Sequence, residues 1–199
     1  MDGHADEESW ELQAVADAAG GDSLAFAVLV RHHQSRLFAF LGRMGLRQAE
    51  AEELAQDAFV RAWQQLGAYK AEVASFTTWL YTIARRLALN HLDRADVRYL
   101  TNMGDVAVDD VTCDRPGPLA YLEQRQQQQR LQAAWRSLTT LDRSILALAY
   151  VHGLGIEDVA RIERCTPAAA RVRIHRARLR LREALQADVM PRRAGVDHE

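Results

Sequence analysis

Apolar residues recur along this chain every three or four positions, and that pattern restricts it to a helical fold. Phe26, Leu29, Val30, Leu37, Phe40 and Leu41 form one stripe. Leu54, Ala58, Phe59, Ala62 and Trp63 form a second, which follows a break at Gly45 and an acidic start at Glu50, Glu52 and Glu53. Acids there suit the positive end of a helix. Trp79, Leu80, Ile83, Ala84, Leu87 and His91 form a third that runs to about Arg94. Three such stripes with short joins predict a bundle whose helices bury their faces on one another. Only four of 199 residues are proline. Ala, Leu, Arg, Glu and Gln are plentiful, so local propensity agrees with the periodicity.

The pattern fails from Asp96 to Pro118, where Gly104, Asp109, Asp110, Pro116, Gly117 and Pro118 cluster as in an acidic, flexible connector. It resumes with a solvated face at Gln126–Gln129, flanked by Leu122, Leu131, Ala134 and Trp135. Leu138, Leu141, Ile145, Leu148 and Ala149 then share a helix closed by Gly153, and a short helix runs from Gly155 to Ile162. Thr166-Pro167 is a capping residue followed by proline at the first helical position, a strong start signal. The last helix lines Ala170, Ile174, Ala177, Leu181 and Leu185 along one face. A short helix, a brief turn and a longer helix with an arginine-rich outer face is the helix-turn-helix pattern. The expectation is an all-α protein of two small helical domains joined by a flexible linker. Its parts are an acidic N-terminal arm (1–22), a first domain (23–95), a linker (96–120), a second domain (121–188) and a tail (189–199).

Charge narrows the function. The net charge is −2, yet Asp2 to Asp22 holds seven acids and no Lys or Arg, while Arg164 to Arg182 holds seven arginines and no acid. A concentrated basic stripe is an electrostatic footprint for phosphates. At 100° per residue, Ala169, Val172, Arg173, His175 and Arg176 lie opposite the apolar stripe of the last helix, with Arg171 and Arg178 flanking. These are positions that a recognition helix presents to base edges. Arg180 and Arg182, further along, suit the phosphate backbone. Between Tyr69 and Arg94, Lys70, Phe76, Trp79, Tyr81, Arg85, Arg86, Asn90 and Arg94 mix cations with aromatics, as surfaces that hold unstacked bases do. A reading of Phe76 and Trp79 as core residues stays open beside that one.

Other chemistries lack residues. No run of about 18 apolar residues exists to span a membrane, and the acidic start lacks a signal-peptide pattern. Cys113 and Cys165 match no metal spacing and read as reduced thiols in a cytoplasmic protein. Adjacent His32 and His33 point in different directions on a helix. Glu52, Glu53 and Asp57 have no His or Cys at ligand spacing, which favours surface acids or a protein contact. There is no phosphate-binding glycine loop and no nucleophile elbow. The sequence therefore predicts no catalytic residue, no metal and no cofactor.

Ala51 to Trp63 (AEELAQDAFVRAW) resembles the region 2 helix of extracytoplasmic-function sigma factors, the small group of the sigma-70 family. Ser75 to Leu92 (SFTTWLYTIARRLALNHL) resembles the promoter-melting helix that follows it, and Leu138–Ala160 with Arg171–Arg182 resembles region 4. The likeness covers 23–95 and 130–186, in the family's order. It implies a non-enzymatic sigma factor that binds RNA polymerase core and directs recognition of the −10 and −35 elements, DNA melting and initiation at a specific regulon. Region 2 would dock on the polymerase clamp through Glu53, Gln56, Asp57 and Arg61. It would hold the −10 element with Lys70, Ser75, Phe76, Trp79, Tyr81, Arg85, Arg86 and Asn90, flipped bases sitting near Lys70 to Phe76. Melting costs about 1.4 kcal/mol per base step, which trapped bases would offset. Region 4 would read the −35 element with Arg171, Arg173, His175, Arg176 and Arg178 and hold the polymerase flap. The linker would thread toward the RNA exit path, and an anti-sigma factor is an expected partner.

Three positions depart from the family pattern. Arg164 stands in the helix-turn-helix turn where the family has glycine. Ala168-Ala169-Ala170-Arg171-Val172 replaces its Gly-Thr-Val-x-Ser, removing two hydroxyls. Thr139 replaces a proline, a change that a capping threonine absorbs. Two rivals remain: a regulator with a similar helix-turn-helix but no polymerase role, and a helical scaffold that has lost DNA binding.

Overall fold

The computed structural model describes residues 3–96 and 118–187, with side chains over 9–94 and 124–187. The central part of the expected linker, and the tail beyond 187, lie outside the described residues. Among the described residues all regular structure is helical, in eight α-helices: α1 (Gly3–Ala19), α2 (Ser23–Met44), α3 (Gln48–Gln65), α4 (Phe76–Asp96), α5 (Pro118–Arg136), α6 (Thr140–Leu146), α7 (Ile156–Ile162) and α8 (Pro167–Ala187). A 3-10 turn, Leu66–Ala68, follows α3, and a π-helical turn, Ala147–Val151, continues α6.

Side chains set the helix ends. Asp22 Oδ1 accepts from the N–H groups of Leu24 (2.8 Å) and Ala25 (3.3 Å), capping α2. Gly45 ends α2 in the left-handed region, at φ 108°. Glu50, in the first turn of α3, accepts from the Arg47 N–H at 2.9 Å. Ser75 Oγ accepts from the Thr78 N–H (3.2 Å) at the start of α4. Thr139 Oγ1 accepts from the Asp142 N–H (3.2 Å) and caps α6, as its exchange for proline requires. Thr166 Oγ1 accepts from the Ala169 N–H (3.2 Å), with Pro167 opening α8. Each cap satisfies backbone donors that the first helical turn leaves without partners.

The acidic start is not a free arm. α1 lies along α2, burying Val15 and Ala18. Trp10 packs edge-on against His32 with centroids 4.8 Å apart, and Glu11 Oε1 lies 2.8 Å from Nε2 of buried His33. Trp10, Ala14, Val15 and Ala18 are spaced for one helix face, a pattern obscured by the acids between them.

α2 is the centre of the first domain, with Leu29, Leu37, Phe40 and Leu41 fully buried against α3 and α4. In the second domain α6, α7 and α8 pack together, α5 lies against α8, and Ala170 and Ala177 are buried. Leu141, expected on the inner face of α6, is 54% exposed, while its neighbours Asp142 and Arg143 are buried. Asp142 is held by Thr139 and by Arg180 of α8, and the Arg143 guanidinium donates to Thr140 Oγ1 at 3.1 Å.

The two domains are also packed on each other. α4 meets α7 and α2 meets α6. One continuous core runs from Leu29 and Phe40 through Tyr81 and Leu80 to Leu148, Val159, Ile162 and Ala177. Trp135 donates its indole N–H to the Arg43 carbonyl at 3.0 Å. The flexible-linker reading did not anticipate this docking.

Candidate nucleic-acid interface

The exposed side of α8 carries the predicted major-groove set. Arg171, Arg173, His175, Arg176 and Arg178 are all exposed, and Val172 among them is 49% exposed. Buried Ala170 and Ala177, with half-buried Ile174 and Leu181, fix the opposite side to the core. The small buried alanines let α8 lie close to α6 and α7, so the arginine row is held on a rigid support. Arg180, expected at phosphate, is instead bound to Asp142, at 2.8 and 2.9 Å to its two carboxylate oxygens. It ties α8 to the start of α6. Arg164, between α7 and α8, takes φ 52°, so the turn keeps the left-handed geometry that glycine normally supplies.

The eight predicted −10 residues divide into two groups. Lys70, Arg86 and Asn90 are exposed, Trp79 is half-buried, and Ser75 is exposed but engaged in capping α4, donating to Thr78 Oγ1 at 3.0 Å. Phe76 and Tyr81, each 1% exposed, and Arg85, 8% exposed, are buried, so none is a surface contact in this conformation. Phe76 belongs to an aromatic cluster in which Tyr69 and Trp79 lie 6.1 and 5.9 Å from it between ring centroids. Tyr69 donates to the Ala74 carbonyl at 2.9 Å and closes the loop that carries Lys70. Burial, and then the nearby Glu11 and Glu72 charges, push the Tyr69 phenol up to about 12, so it stays a protonated donor. Glu11 also reaches the head of α4, where the Thr77 hydroxyl donates to it at 3.4 Å.

Glu53, Gln56, Asp57 and Arg61 are all exposed on one side of α3, away from buried Ala51, Leu54, Ala55 and Ala58. Beside them an open apolar groove is lined by Ser23, Phe26, Phe59, Val60 and Trp63, with Phe26 and Trp63 centroids 5.0 Å apart. Glu50 is held down to about 2, chiefly by its hydrogen bond with the Arg47 guanidinium, and also contacts His91 at 3.5 Å.

Polar groups of the second domain cover the inner side of α4. Arg85 Nε and Nη2 donate to Glu163 Oε1 and Oε2 at 2.7 and 2.6 Å, and Ser144 Oγ donates to Glu163 Oε1 at 2.6 Å. The Tyr81 hydroxyl lies 3.0 Å from His152 Nδ1. Burial, reinforced by the Arg43 and Arg36 charges, lowers His152 to about 4, so it is neutral at pH 7. Burial holds the Tyr81 hydroxyl beside it well above its ordinary value, so that group stays protonated. Arg143 lies over Gly45, where an added Cβ would come 2.7 Å from the guanidinium. Tyr69, Ser144, His152 and Glu163 were not singled out in the sequence. Tyr69 stood at the edge of the aromatic-cation segment, while the other three carry no periodic signal because their partners are distant in the chain.

Among the described residues, no group of three His, Cys, Asp or Glu side chains is placed to hold a metal ion, and no helix is long and apolar enough to cross a membrane. The arrangement defines a class: a helical unit with a cation-aromatic helix, followed by a helix-turn-helix with exposed guanidinium groups. The Sigma-70 region 2 family matches residues 29–98 and the Sigma-70, region 4 family matches residues 128–181. The chain belongs to the sigma-70 family of RNA polymerase sigma factors, in its extracytoplasmic-function group.

It is 31% identical over 188 residues to the RNA polymerase sigma-H factor of Pseudomonas aeruginosa, covering 88% of this chain and 94% of that one. It is 28% identical over 178 residues to the ECF RNA polymerase sigma-E factor of Escherichia coli, covering 86% and 90%. Among solved structures, CnrH in complex with the cytosolic domain of CnrY superposes with a TM-score of 0.66 at 24% identity, covering 90% of this chain and 99% of that one. The sigma factor RpoE of Bartonella quintana, in complex with the anti-sigma factor NepR, gives 0.64 at 23%, covering 82% and 98%. These two likenesses show a shared fold.

Proposed function

We propose that this sigma factor docks on the polymerase clamp through Glu53, Gln56, Asp57 and Arg61 of α3 and reads its promoter at two separate places. The loop and helix from Lys70 to Asn90 take the −10 element, and the exposed row Arg171, Arg173, His175, Arg176 and Arg178 enters the −35 major groove. The observation that carries this reading is the row itself: five cationic or titratable side chains exposed on the second helix of a helix-turn-helix whose other face is buried. In this reading half-buried Trp79 stacks an unpaired base while the exposed Lys70 meets phosphate. Phe76 supports that surface from within, and Tyr81 and Arg85 reach DNA only when the domains part.

The protein acts by binding and positioning, without substrate turnover or cofactor, in the cytoplasm where polymerase works. An anti-sigma factor is its expected regulatory partner, as NepR is for the Bartonella relative. Run-off transcription with purified core polymerase, this protein and a library of upstream DNA from its own genome tests the reading. Specific transcripts that need both proteins support it, and their start sites give both promoter elements. Direct operator binding without core would support a regulator instead. Failure to bind either core or DNA would support a scaffold.

A further inference from the structure

The two domains meet across a buried ion pair. Arg85 on α4 is 8% exposed, Glu163 at the end of α7 is 5% exposed, and Ser144 between them is fully buried. The guanidinium and carboxylate form two parallel hydrogen bonds of 2.7 and 2.6 Å, and Ser144 accepts from Arg85 Nε at 3.1 Å while donating to Glu163. Removing such a pair from water offsets most of its attraction, so an apolar contact of equal volume holds a permanent interface better. A charged contact suits an interface that must part, because both ions regain water on opening.

The promoter geometry requires opening. Elements about 25 base pairs apart lie about 85 Å apart along B-form DNA, whereas here the two domains share one core and hydrogen-bond directly. Glu163 also offers Arg85 what a phosphate would, two anionic oxygens in bidentate geometry.

We propose that Arg85 and Glu163 form a latch that closes the free chain, and that the Arg85 guanidinium is exchanged from the Glu163 carboxylate to DNA when the domains separate. The exchange, though not the latch, rests on the assignment of α4 to the −10 strand. In the closed form Tyr81 is withheld with Arg85, so the chain without polymerase presents an incomplete −10 surface. Glu163 sits outside the −35 row, so its substitution leaves that row intact.

The test uses the full chain in six forms: the native sequence, Glu163→Gln, Ser144→Ala, Arg85→Glu, Glu163→Arg, and the last two combined as an exchange pair. The readouts are the radius of gyration by small-angle X-ray scattering and the affinity for a fluorescein-labelled oligo-dT strand, with helix content by circular dichroism as the folding control. The native chain is expected to be compact. Glu163→Gln should expand it and tighten oligo-dT binding about five-fold, the gain expected when the competent form was a minor population. Arg85→Glu alone should expand it, and adding Glu163→Arg should restore compaction. If Glu163→Gln loses helix content, Ser144→Ala, which keeps Arg85, should likewise expand the chain and tighten oligo-dT binding, and the exchange pair tests compaction alone. A chain that stays compact in Glu163→Gln and in Arg85→Glu overturns the latch. Expansion without tighter oligo-dT binding keeps the latch and overturns the exchange, while the assignment of α4 to the strand falls only if two further variants, Arg86→Ala and Asn90→Ala, also leave oligo-dT binding unchanged.

Discussion

Arg164 is the residue at which sequence and structure agree most directly. It stands where the family has glycine, and its φ of 52° shows that the turn kept its geometry and took the strain. A β-carbon in the left-handed region costs on the order of 1 kcal/mol, least for asparagine, whose short side chain bonds locally. Arg164→Asn should therefore stabilise the chain by about 0.5–1 kcal/mol in urea unfolding. His152 was not legible in the same way, because its partner Tyr81 lies 71 positions away. From α2 it faces Phe40 and the charges of Arg36 and Arg43, and from α4 the Tyr81 hydroxyl. Its folded value of about 4 lies below the ordinary 6.5, so protonation favours states in which the ring reaches water. Its contribution to stability is complete above about pH 6.5 and is lost progressively as pH falls toward about 4. Urea midpoints measured from pH 7.5 to 4 should fall through that window, and more shallowly in His152→Gln.

At the scale of the element, periodicity was readable wherever a stripe was long and its other face polar. α2, α3, α4 and α8 all follow from the spacing of their apolar residues, and Leu80, Ala84 and Leu87 are buried as the third stripe required. α1 was missed because its acids masked the stripe of Trp10, Ala14, Val15 and Ala18. Leu141 was misplaced because a seven-residue helix that continues into a π turn does not hold one face against the core. If α1 is part of the first domain, its two faces must respond differently to the same charge. Val15→Asp puts a carboxylate where the side chain is 5% exposed, and should cost more than about 2 kcal/mol, with loss of hydrogen-exchange protection along α1. Ala16→Asp, one position on and exposed, should change stability by less than about 0.5 kcal/mol. Equal effects at the two positions would mean that α1 does not pack on α2 in solution.

For the molecule as a whole, two domains in the right order were legible, but their mutual docking was not. The docking rests on side-chain pairs such as Arg85–Glu163 and Trp135–Arg43 that no local pattern signals. The arginine-rich segment shows the same gap: composition counted seven arginines as one basic stripe, and the fold divides them by task. Arg164 forms a turn, Arg180 is held by Asp142, and Arg173 and Arg176 stand exposed among the −35 candidates. That division predicts opposite behaviour from chemically identical substitutions. With the polymerase holoenzyme on promoter DNA, Arg173→Ala should cost about 1–3 kcal/mol if its guanidinium reads a base edge. A phosphate contact would instead reduce the salt slope of binding by about 1. The base-edge effect should vanish on DNA with a scrambled −35 element, and the phosphate effect should persist there. Arg180→Ala should leave affinity and slope nearly unchanged, because its charge is already committed to Asp142. It should instead lower thermal stability, since it frees the start of α6 from α8 and leaves a carboxylate that is 10% exposed without its cation. Titrations across a salt series, with melting curves for the same two variants, separate the roles. Loss of DNA affinity in Arg180→Ala with unchanged melting would return that residue to the phosphate backbone.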